Sequence, residues 1–248
     1  MEEQKKVAVI TGGGSGIGFG IAEKFIEKGI QAILVARDEE KLRNACAQLG
    51  PSCHYKTCDL SDLKTIAPLI QRILSEYGRI DVLVNNAGIN MKKDFTEVTD
   101  EEFQKILTVN VCSVFAISRE VVKDMIRRRS GSIINISSMA AQYGLPRVIA
   151  YSASKSAIEG MTRAMASELS PHSIRINCIA PGFIETAMTA KALNDDPERK
   201  AKAMGRTPMG KMGKPADIGA AAAFFASDES AYITGTILCV DGGNAIGF

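Results

Sequence analysis

Short runs of β-branched and other apolar residues alternate with longer amphipathic stretches along the 248-residue chain. The pattern predicts strands over 7–11, 32–36, 54–58, 82–85, 132–137, 175–180 and 237–240, and helices over 16–28, 39–49, 63–77, 101–128, 150–169 and 215–226. The strand runs are continuously apolar, which is typical of a parallel sheet covered by helices on both faces. Repeated β-α-β order therefore predicts an α/β protein with a Rossmann-like, doubly wound parallel sheet and right-handed crossovers.

Length and composition narrow the class of protein further. An α/β chain of roughly 250 residues forms one domain by default, so we expect a single domain over residues 1–248. A net charge of +2 gives no reason to expect binding to nucleic acid or to an anionic membrane. Neither a membrane-spanning run nor a secretory signal is visible, which predicts a cytoplasmic protein. Cys53, His54 and Cys58 match no zinc spacing, so we expect no metal site.

A glycine-rich turn, T-G-G-G-S-G-I-G over residues 11–18, joins the first predicted strand to the first predicted helix. Glycines let the backbone approach a pyrophosphate, and the helix N-terminus supplies N–H donors and a positive dipole. The context of strand, turn and helix predicts a dinucleotide site rather than a plain tight turn. The predicted contacts are Gly12, Gly14, Ser15, Gly16, Ile17 and Gly18.

Tyr151 and Lys155 are spaced i and i+4 on a predicted helix, and therefore share one helical face. A free tyrosine has a pKa near 10 and is a poor base at neutral pH, but a nearby ammonium would lower that pKa. Ser138 follows the fifth predicted strand and is a candidate hydrogen-bond partner for a substrate oxygen. The alternative is a tyrosine and a lysine placed by chance on an amphipathic helix.

Together with Asn85-Asn86-Ala87-Gly88 after the fourth predicted strand, these motifs resemble the short-chain dehydrogenase/reductase family, and the resemblance spans residues 7–243. It implies hydride transfer between a dinucleotide and a carbonyl or secondary alcohol. It also implies that Tyr151 exchanges the substrate proton, that Lys155 tunes Tyr151, and that Asn110 holds a relay water. A solvated helix asparagine is the alternative for Asn110.

The same resemblance assigns further cofactor contacts and an assembly. The contacts that it implies, besides Tyr151 and Lys155, are Asp59 and Leu60 at the adenine, Asn86, Ala87 and Gly88 beside the cofactor, and Pro181, Gly182, Ile184 and Thr186 near the nicotinamide. It implies a homotetramer that packs through the helices over 101–128 and 150–169. The alternative is that the apolar faces of these helices pack on the chain's own sheet.

The end of the second predicted strand indicates which dinucleotide is used. Ala36 takes the position where NAD-binding relatives carry an acidic residue, and Arg37 follows it. A carboxylate would repel a ribose 2′-phosphate, whereas a guanidinium binds it. We therefore predict NADP(H). In the alternative, Arg37 pairs with Asp38 or Glu40 and NAD(H) is used.

The substrate is less constrained by the sequence. Residues 89–95 and Arg147 resemble a branch with gluconate 5-dehydrogenase and 2-deoxygluconate 3-dehydrogenase, so we expect a sugar acid whose carboxylate Arg147 binds. In the alternative, Arg147, Lys92 and Lys93 are solvated charges at the rim. A hydroxysteroid dehydrogenase, a 3-oxoacyl thioester reductase and a non-enzymatic dinucleotide sensor are the other candidates. The polar segment 183–208 is predicted to be a substrate lid.

Overall fold

Seven parallel strands form one sheet in the order β3-β2-β1-β4-β5-β6-β7 in the part of the chain that the structure describes, residues 5–193 and 197–247 of a computed structural model. The strands are β1 (Val7–Thr11), β2 (Gln31–Ala36), β3 (Cys53–Thr57), β4 (Val82–Asn85), β5 (Gly131–Ile136), β6 (Ile174–Pro181) and β7 (Ile237–Val240). The predicted single-domain, doubly wound α/β fold is thereby confirmed.

Helices cover both faces of the sheet. Their bounds are α1 (Gly16–Glu27), α2 (Glu39–Leu49), α3 (Ile66–Tyr77), α4 (Asp100–Leu107), α5 (Ser113–Arg128), α6 (Ile149–Leu169), α7 (Ala187–Leu193), α8 (Pro197–Gly205) and α9 (Pro215–Ala226). Helices α1, α2 and α9 pack on one face, and α3, α5 and α6 on the other. Among the described residues, none of the helices is both long and apolar enough to cross a membrane.

Alternate residues of each central strand enter different cores, which explains why the strands are apolar throughout. In β1, Ala8 and Ile10 pack with α1, whereas Val7 and Val9 pack with α3 and α5. Strand β1 lies between β2 and β4, so chain order reverses there and a crevice opens at the carboxyl ends of the strands. In doubly wound sheets this is where ligands bind.

Two predicted elements differ from the structure. The helix predicted over 101–128 is two α-helices joined by a π-helical segment, Thr108–Cys112. The segment 183–208, for which no helix was predicted, contains α7 and α8. Residues 194–196 of that predicted lid lie outside the described residues. The short helices were missed because each has only two turns, and the π-helix because one extra residue per turn scarcely disturbs an apolar pattern.

Candidate active site

A cleft of about 340 Å³ opens at the carboxyl ends of the central strands. It is bounded by the glycine turn, the ends of β4 and β5, the start of α6 and the loop after β6. Fourteen of the predicted site residues line it, namely Gly12, Ser15, Gly16, Ile17, Asn86, Ala87, Gly88, Ser138, Tyr151, Lys155, Pro181, Gly182, Ile184 and Thr186. Residues from distant parts of the chain thus meet because parallel strands all end at one edge of the sheet.

The glycine turn is fastened to the end of β4 by Thr11 and Asn86. The Thr11 hydroxyl oxygen accepts hydrogen bonds from the backbone N–H of Asn86 and of Ala87, each at 3.0 Å. The Asn86 amide donates back to the carbonyl oxygens of Thr11 at 2.9 Å and Gly12 at 3.2 Å. Gly12 has a φ of +67°, and a Cβ there would lie 2.8 Å from the Asn86 amide nitrogen. The Asn86 side chain, predicted to contact a cofactor, therefore shapes the turn.

The cleft fits a dinucleotide phosphate group. The first turn of α1 carries no acidic side chain, and the hydroxyl of its N-cap residue, Ser15, makes no capping hydrogen bond. The N–H groups that begin α1 therefore face a site without a competing carboxylate. Gly16 has a φ of +55° and lies against Thr186, whose methyl group would be 3.3 Å from an added Cβ.

Residues predicted to bind the adenosine half lie outside this cleft. Arg37 is exposed at the end of β2, and Leu60 is buried in the core beside α3. Asp59 accepts hydrogen bonds from the Ser61 N–H at 2.9 Å and hydroxyl at 2.8 Å, which hold the pKa of Asp59 below its ordinary value. Gly14 and Gly18 are also outside the cleft; a Cβ on Gly18 would come within 2.4 Å of the Gly12 carbonyl oxygen.

Lys155 is a nearly buried cation beneath Tyr151. Its ammonium donates to the carbonyl oxygen of Ile136 at 2.8 Å and lies 5.6 Å from the centroid of the Tyr151 ring. Burial lowers the pKa of Lys155 to about 8. Burial raises the pKa of Tyr151, against the effect of a hydrogen bond with Ser138. This corrects the expected lowering by a nearby ammonium, because here desolvation of the phenolate outweighs the interactions that favour it.

Asn110 lies on the π-helical segment and is only 1% exposed, which rules out a solvated helix asparagine. Its amide oxygen accepts from the Ile89 N–H at 2.8 Å. Its amide nitrogen donates to the Ile89 carbonyl oxygen at 2.9 Å and to the Ser154 hydroxyl at 3.0 Å. Asn110 thereby ties the loop after β4 to α6.

Gly88 lies between Asn110 and Lys155. A Cβ at this position would be 3.4 Å from the Asn110 amide oxygen and 3.5 Å from the Lys155 ammonium. Both distances are ordinary contacts, so a side chain would fill this space rather than clash. The glycine therefore keeps open the region between the two polar groups where the relay water is predicted.

Arg147 lies outside the catalytic cleft and lines a neighbouring cavity. Its guanidinium contacts the Asp94 carboxylate twice, at 2.7 Å and 3.3 Å, and its carbonyl oxygen accepts from the Lys93 N–H at 2.9 Å. The Lys93 ammonium pairs with Glu102 at 2.8 Å. Arg147 thus joins the loop after β4 to the start of α6, and in this structure its charge is paired with Asp94. The carboxylate clamp at Arg147 stays a prediction.

Two polar residues that the sequence analysis did not identify hold the site's loops in place through hydrogen bonds. Glu159 is buried and accepts hydrogen bonds from the Ser137 hydroxyl at 2.8 Å and the Gln142 amide at 2.6 Å. It lies one helical turn after Lys155 on the face that carries Tyr151, and this spacing is the signal that would have identified it. Thr11 was detectable as the hydroxyl residue that begins the glycine turn.

Comparisons with known proteins agree with this geometry. A family model described as enoyl-(acyl carrier protein) reductase matches residues 12–245. The 3-oxoacyl-[acyl-carrier-protein] reductase FabG of Chlamydia muridarum is 40% identical over 244 residues, which cover 97% of each chain. A 3alpha-hydroxysteroid dehydrogenase of Mediterraneibacter gnavus is 40% identical over 245 residues, which cover 96% of each chain.

Solved structures share the whole architecture. A putative gluconate dehydrogenase from Agrobacterium tumefaciens superimposes with a TM-score of 0.94 at 32% identity, covering 99% of this chain and 98% of that one. A variant of actinorhodin polyketide ketoreductase with NADPH gives a TM-score of 0.93 at 32% identity, covering 99% of this chain and 100% of that one. The similarity therefore extends over the sheet, the cleft and both helical layers.

Proposed function

Because the chain belongs to the short-chain dehydrogenase/reductase family, an NAD(P)-dependent group that acts on CH–OH donors, we propose that Tyr151 exchanges the substrate proton in its reaction. The nicotinamide dinucleotide, when bound, supplies the hydride chemistry between a carbinol carbon and a carbonyl carbon. Ser138 orients and polarises the substrate oxygen. The observation that carries the proposal is the position of Ser138, Tyr151 and Lys155 in one cleft beside the glycine turn.

The electrostatics of the cleft are compatible with Tyr151 as the proton donor when a carbonyl is reduced. Burial raises the pKa of Tyr151, so the phenol carries its proton at neutral pH and serves as an acid. Lys155, with a pKa of about 8, is mainly an ammonium at neutral pH. Its charge, 5.6 Å from the ring centroid, stabilises the phenolate that forms as the proton leaves. Lys155 would return a proton to Tyr151 and regain one from solvent through the relay water that Asn110 is predicted to hold.

The proposal for Tyr151 is tested by replacing its hydroxyl alone. Tyr151→Phe should lower turnover by about a hundredfold or more, since general acid catalysis contributes that much, while NADPH binding stays within about threefold. Turnover is followed by NADPH absorbance and binding by fluorescence titration. Tyr55→Phe, outside the cleft, is the matched control and should retain full turnover. If Tyr151→Phe turns over at the wild-type rate, the assigned proton donor is wrong.

NADP(H) is proposed as the cofactor from the surroundings of Arg37. The Asp38 carboxylate is already used, accepting from the Lys41 N–H at 3.1 Å and pairing with its ammonium at 3.2 Å. Among the described residues no carboxylate forms an ion pair with Arg37. The exposed guanidinium at the end of β2, with Ala36 before it, therefore suits a 2′-phosphate.

Kinetics with both cofactors test this assignment. The wild type should show a kcat/KM for NADPH at least about tenfold above that for NADH, and Arg37→Ala should lose most of this preference, since a charged hydrogen bond is worth about 1.5–3 kcal/mol. Arg43→Ala, which removes an exposed cation of α2, is the matched control and should leave the preference intact. A clear preference for NADH in the wild type would refute the assignment.

Three substrate classes follow from the relatives. The FabG and 3alpha-hydroxysteroid dehydrogenase relatives, at 40% identity each, favour a 3-oxoacyl thioester or a 3-oxosteroid. A sugar acid is a third candidate, favoured by the putative gluconate dehydrogenase at 32% identity. Turnover of one representative of each class with NADPH ranks them.

The segment 183–208 is proposed to act as a lid, since Thr186 and Met188 line the catalytic cleft and Phe183 the cavity beside it.

A further inference from the structure

A second cavity, of about 330 Å³, lies beside the catalytic cleft. We name it the Arg206 cavity; its walls include Leu145, Pro146, Phe183 and Arg206. Phe183 stands at the boundary, because its chain neighbours Gly182 and Ile184 line the catalytic cleft. The catalytic cleft and this cavity are therefore adjacent at Phe183.

The Arg206 cavity is apolar along one wall and cationic along the other. Tyr143, Leu145, Pro146 and Phe183 supply aromatic and aliphatic surface. The basic residues that line it are Lys92, Arg147, Lys202 and Arg206. Lys202 pairs with Glu198 at 2.6 Å and Arg147 with Asp94 at 2.7 Å, so the positive end of the cavity centres on Arg206. An apolar wall with a positive end is complementary to an amphipathic anion.

Arg206 is held in place before any ligand binds. Its Nε donates to the Asn244 carbonyl oxygen at 2.9 Å, and its guanidinium carbon lies 4.0 Å from the centroid of the Tyr143 ring. The Tyr143 hydroxyl in turn donates to the side-chain oxygen of Asn244, which is fully buried. A guanidinium stacked on a fixed aromatic ring loses little freedom when it binds an anion.

The partners of Arg206 distinguish it from Arg147. Arg147 contacts the Asp94 carboxylate at 2.7 Å, so its charge is already matched. Within residues 5–193 and 197–247, no carboxylate lies within ion-pair distance of the Arg206 guanidinium, whose described partners are the Asn244 carbonyl oxygen and the ring and hydroxyl of Tyr143. No carboxylate therefore neutralises the charge of Arg206, and the remaining N–H groups of its guanidinium can donate to a planar anion.

We propose that the Arg206 cavity makes this enzyme selective for amphipathic oxo-acids, with the apolar body against Phe183 and Leu145 and the carboxylate on Arg206. This rests on the proposed function, since it assumes that the carbonyl is reduced at Tyr151. It places the specificity-determining cation on the segment after α8, not at Arg147. A charge-assisted contact of this kind strengthens apparent substrate binding by about tenfold or more.

The test compares acids with their neutral methyl esters as substrates of the intact enzyme with NADPH. The probes are 3-oxo-5β-cholanoate, which is rigid, and 10-oxoundecanoate, which is flexible, each with its ester. The wild type should show a KM for at least one acid about tenfold below that of its ester, with similar kcat. Arg206→Met should remove this difference by raising the KM of the acid alone, and Arg206→Lys should keep part of it.

Two controls separate the possible outcomes. Lys211→Met removes an exposed cation outside the cavity and should keep the preference for acids. A 3-oxoacyl pantetheine thioester and its 4′-phosphopantetheine counterpart form a second neutral and anionic pair. A preference confined to this pair means that Arg206 binds a phosphate and overturns the carboxylate assignment.

The wild type alone can overturn the inference, even where Arg206→Met fails to fold. Equal KM values for acids and esters would refute it and leave the proposed function standing, because carbonyl reduction is still observed. An acid preference that Arg206→Met leaves unchanged would also refute it. Absence of turnover with every acid, ester and thioester, and with an oxo sugar acid as well, would instead refute the proposed function.

Discussion

Lys155 is a charged residue at a position where stability alone would favour an apolar one. Its side chain is 4% exposed, and its one described hydrogen bond goes to the Ile136 carbonyl oxygen. Burial lowers the pKa of Lys155 from 10.5 to about 8, which means that the folded protein binds this proton more weakly than the unfolded chain does. The buried ammonium therefore costs folding free energy, which its proposed catalytic role would explain.

The cost should depend on pH in a defined window. Below about pH 8 both states are protonated and the full penalty, up to about 3 kcal/mol, is present. Between pH 8 and 10.5 the unfolded state binds more protons, so stability of the wild type rises with pH through this range. We expect Lys155→Met to lose turnover, and to gain stability over the wild type at pH 7 that shrinks by pH 9.5.

Urea denaturation at both pH values measures this difference. Lys211→Met, which replaces an exposed lysine, is the control and should change stability little at either pH. If Lys155→Met were less stable than the wild type at pH 7, the hydrogen bond to Ile136 would outweigh the burial of the charge.

The sequence predicts which residues form the site better than it predicts what surrounds each of them. The spacing of Tyr151 and Lys155 placed them in one site, but the direction of the Tyr151 pKa depends on burial by distant segments. Arg206, Tyr143 and Asn244 illustrate the same limit, because residues about a hundred positions apart meet only in the folded chain. Neither periodicity nor a local motif encodes such a contact.

The helix around Asn110 loses its regular α-helical geometry where it contributes to the site. The π-helical segment Thr108–Cys112 turns the Asn110 amide toward Ile89 and Ser154, where it makes three hydrogen bonds. The apolar pattern over 101–128 predicted the helix but not this local widening. π-Helical turns are rare in proteins overall, and those that occur often lie at functional sites.

Removing the Asn110 amide should therefore destabilise the folded protein as well as disrupt the proposed proton relay. We expect Asn110→Leu to lower the free energy of unfolding by about 2–4 kcal/mol, because the Ile89 N–H and carbonyl groups are left without partners. Asn110→Asp keeps an acceptor for the Ile89 N–H and should lose less. Urea denaturation measures the loss, with Gln104→Leu on the exposed side of α4 as the control. If Asn110→Leu lowered the free energy of unfolding by less than about 0.5 kcal/mol, the hydrogen bonds from Asn110 would not stabilise the fold as proposed.

For the whole molecule, the surface retains apolar side chains on two separate faces. Val114, Ile117, Val121 and Met125 of α5 are buried within the chain, so most of the helix face expected between subunits packs on the chain's own core. Phe115, on the same helix, is 52% exposed. Around the edge strand β7, Tyr232, Leu238 and Ile246 are exposed as well. The layers of helices and sheet were predictable from the apolar periodicity of the sequence, but these exposed apolar side chains were not.

The two faces support the prediction of a homotetramer. Two distinct self-complementary interfaces close into a tetramer with twofold axes, and an exposed edge strand such as β7 is commonly covered in this way. Light scattering should then give a mass four times that of the 26.6-kDa chain. Phe115→Asp would bury a charge in one interface and should leave dimers that assemble through the β7 face. Phe95→Asp, at an exposed residue of the loop after β4, should stay tetrameric, and a monomeric wild type would refute the assembly.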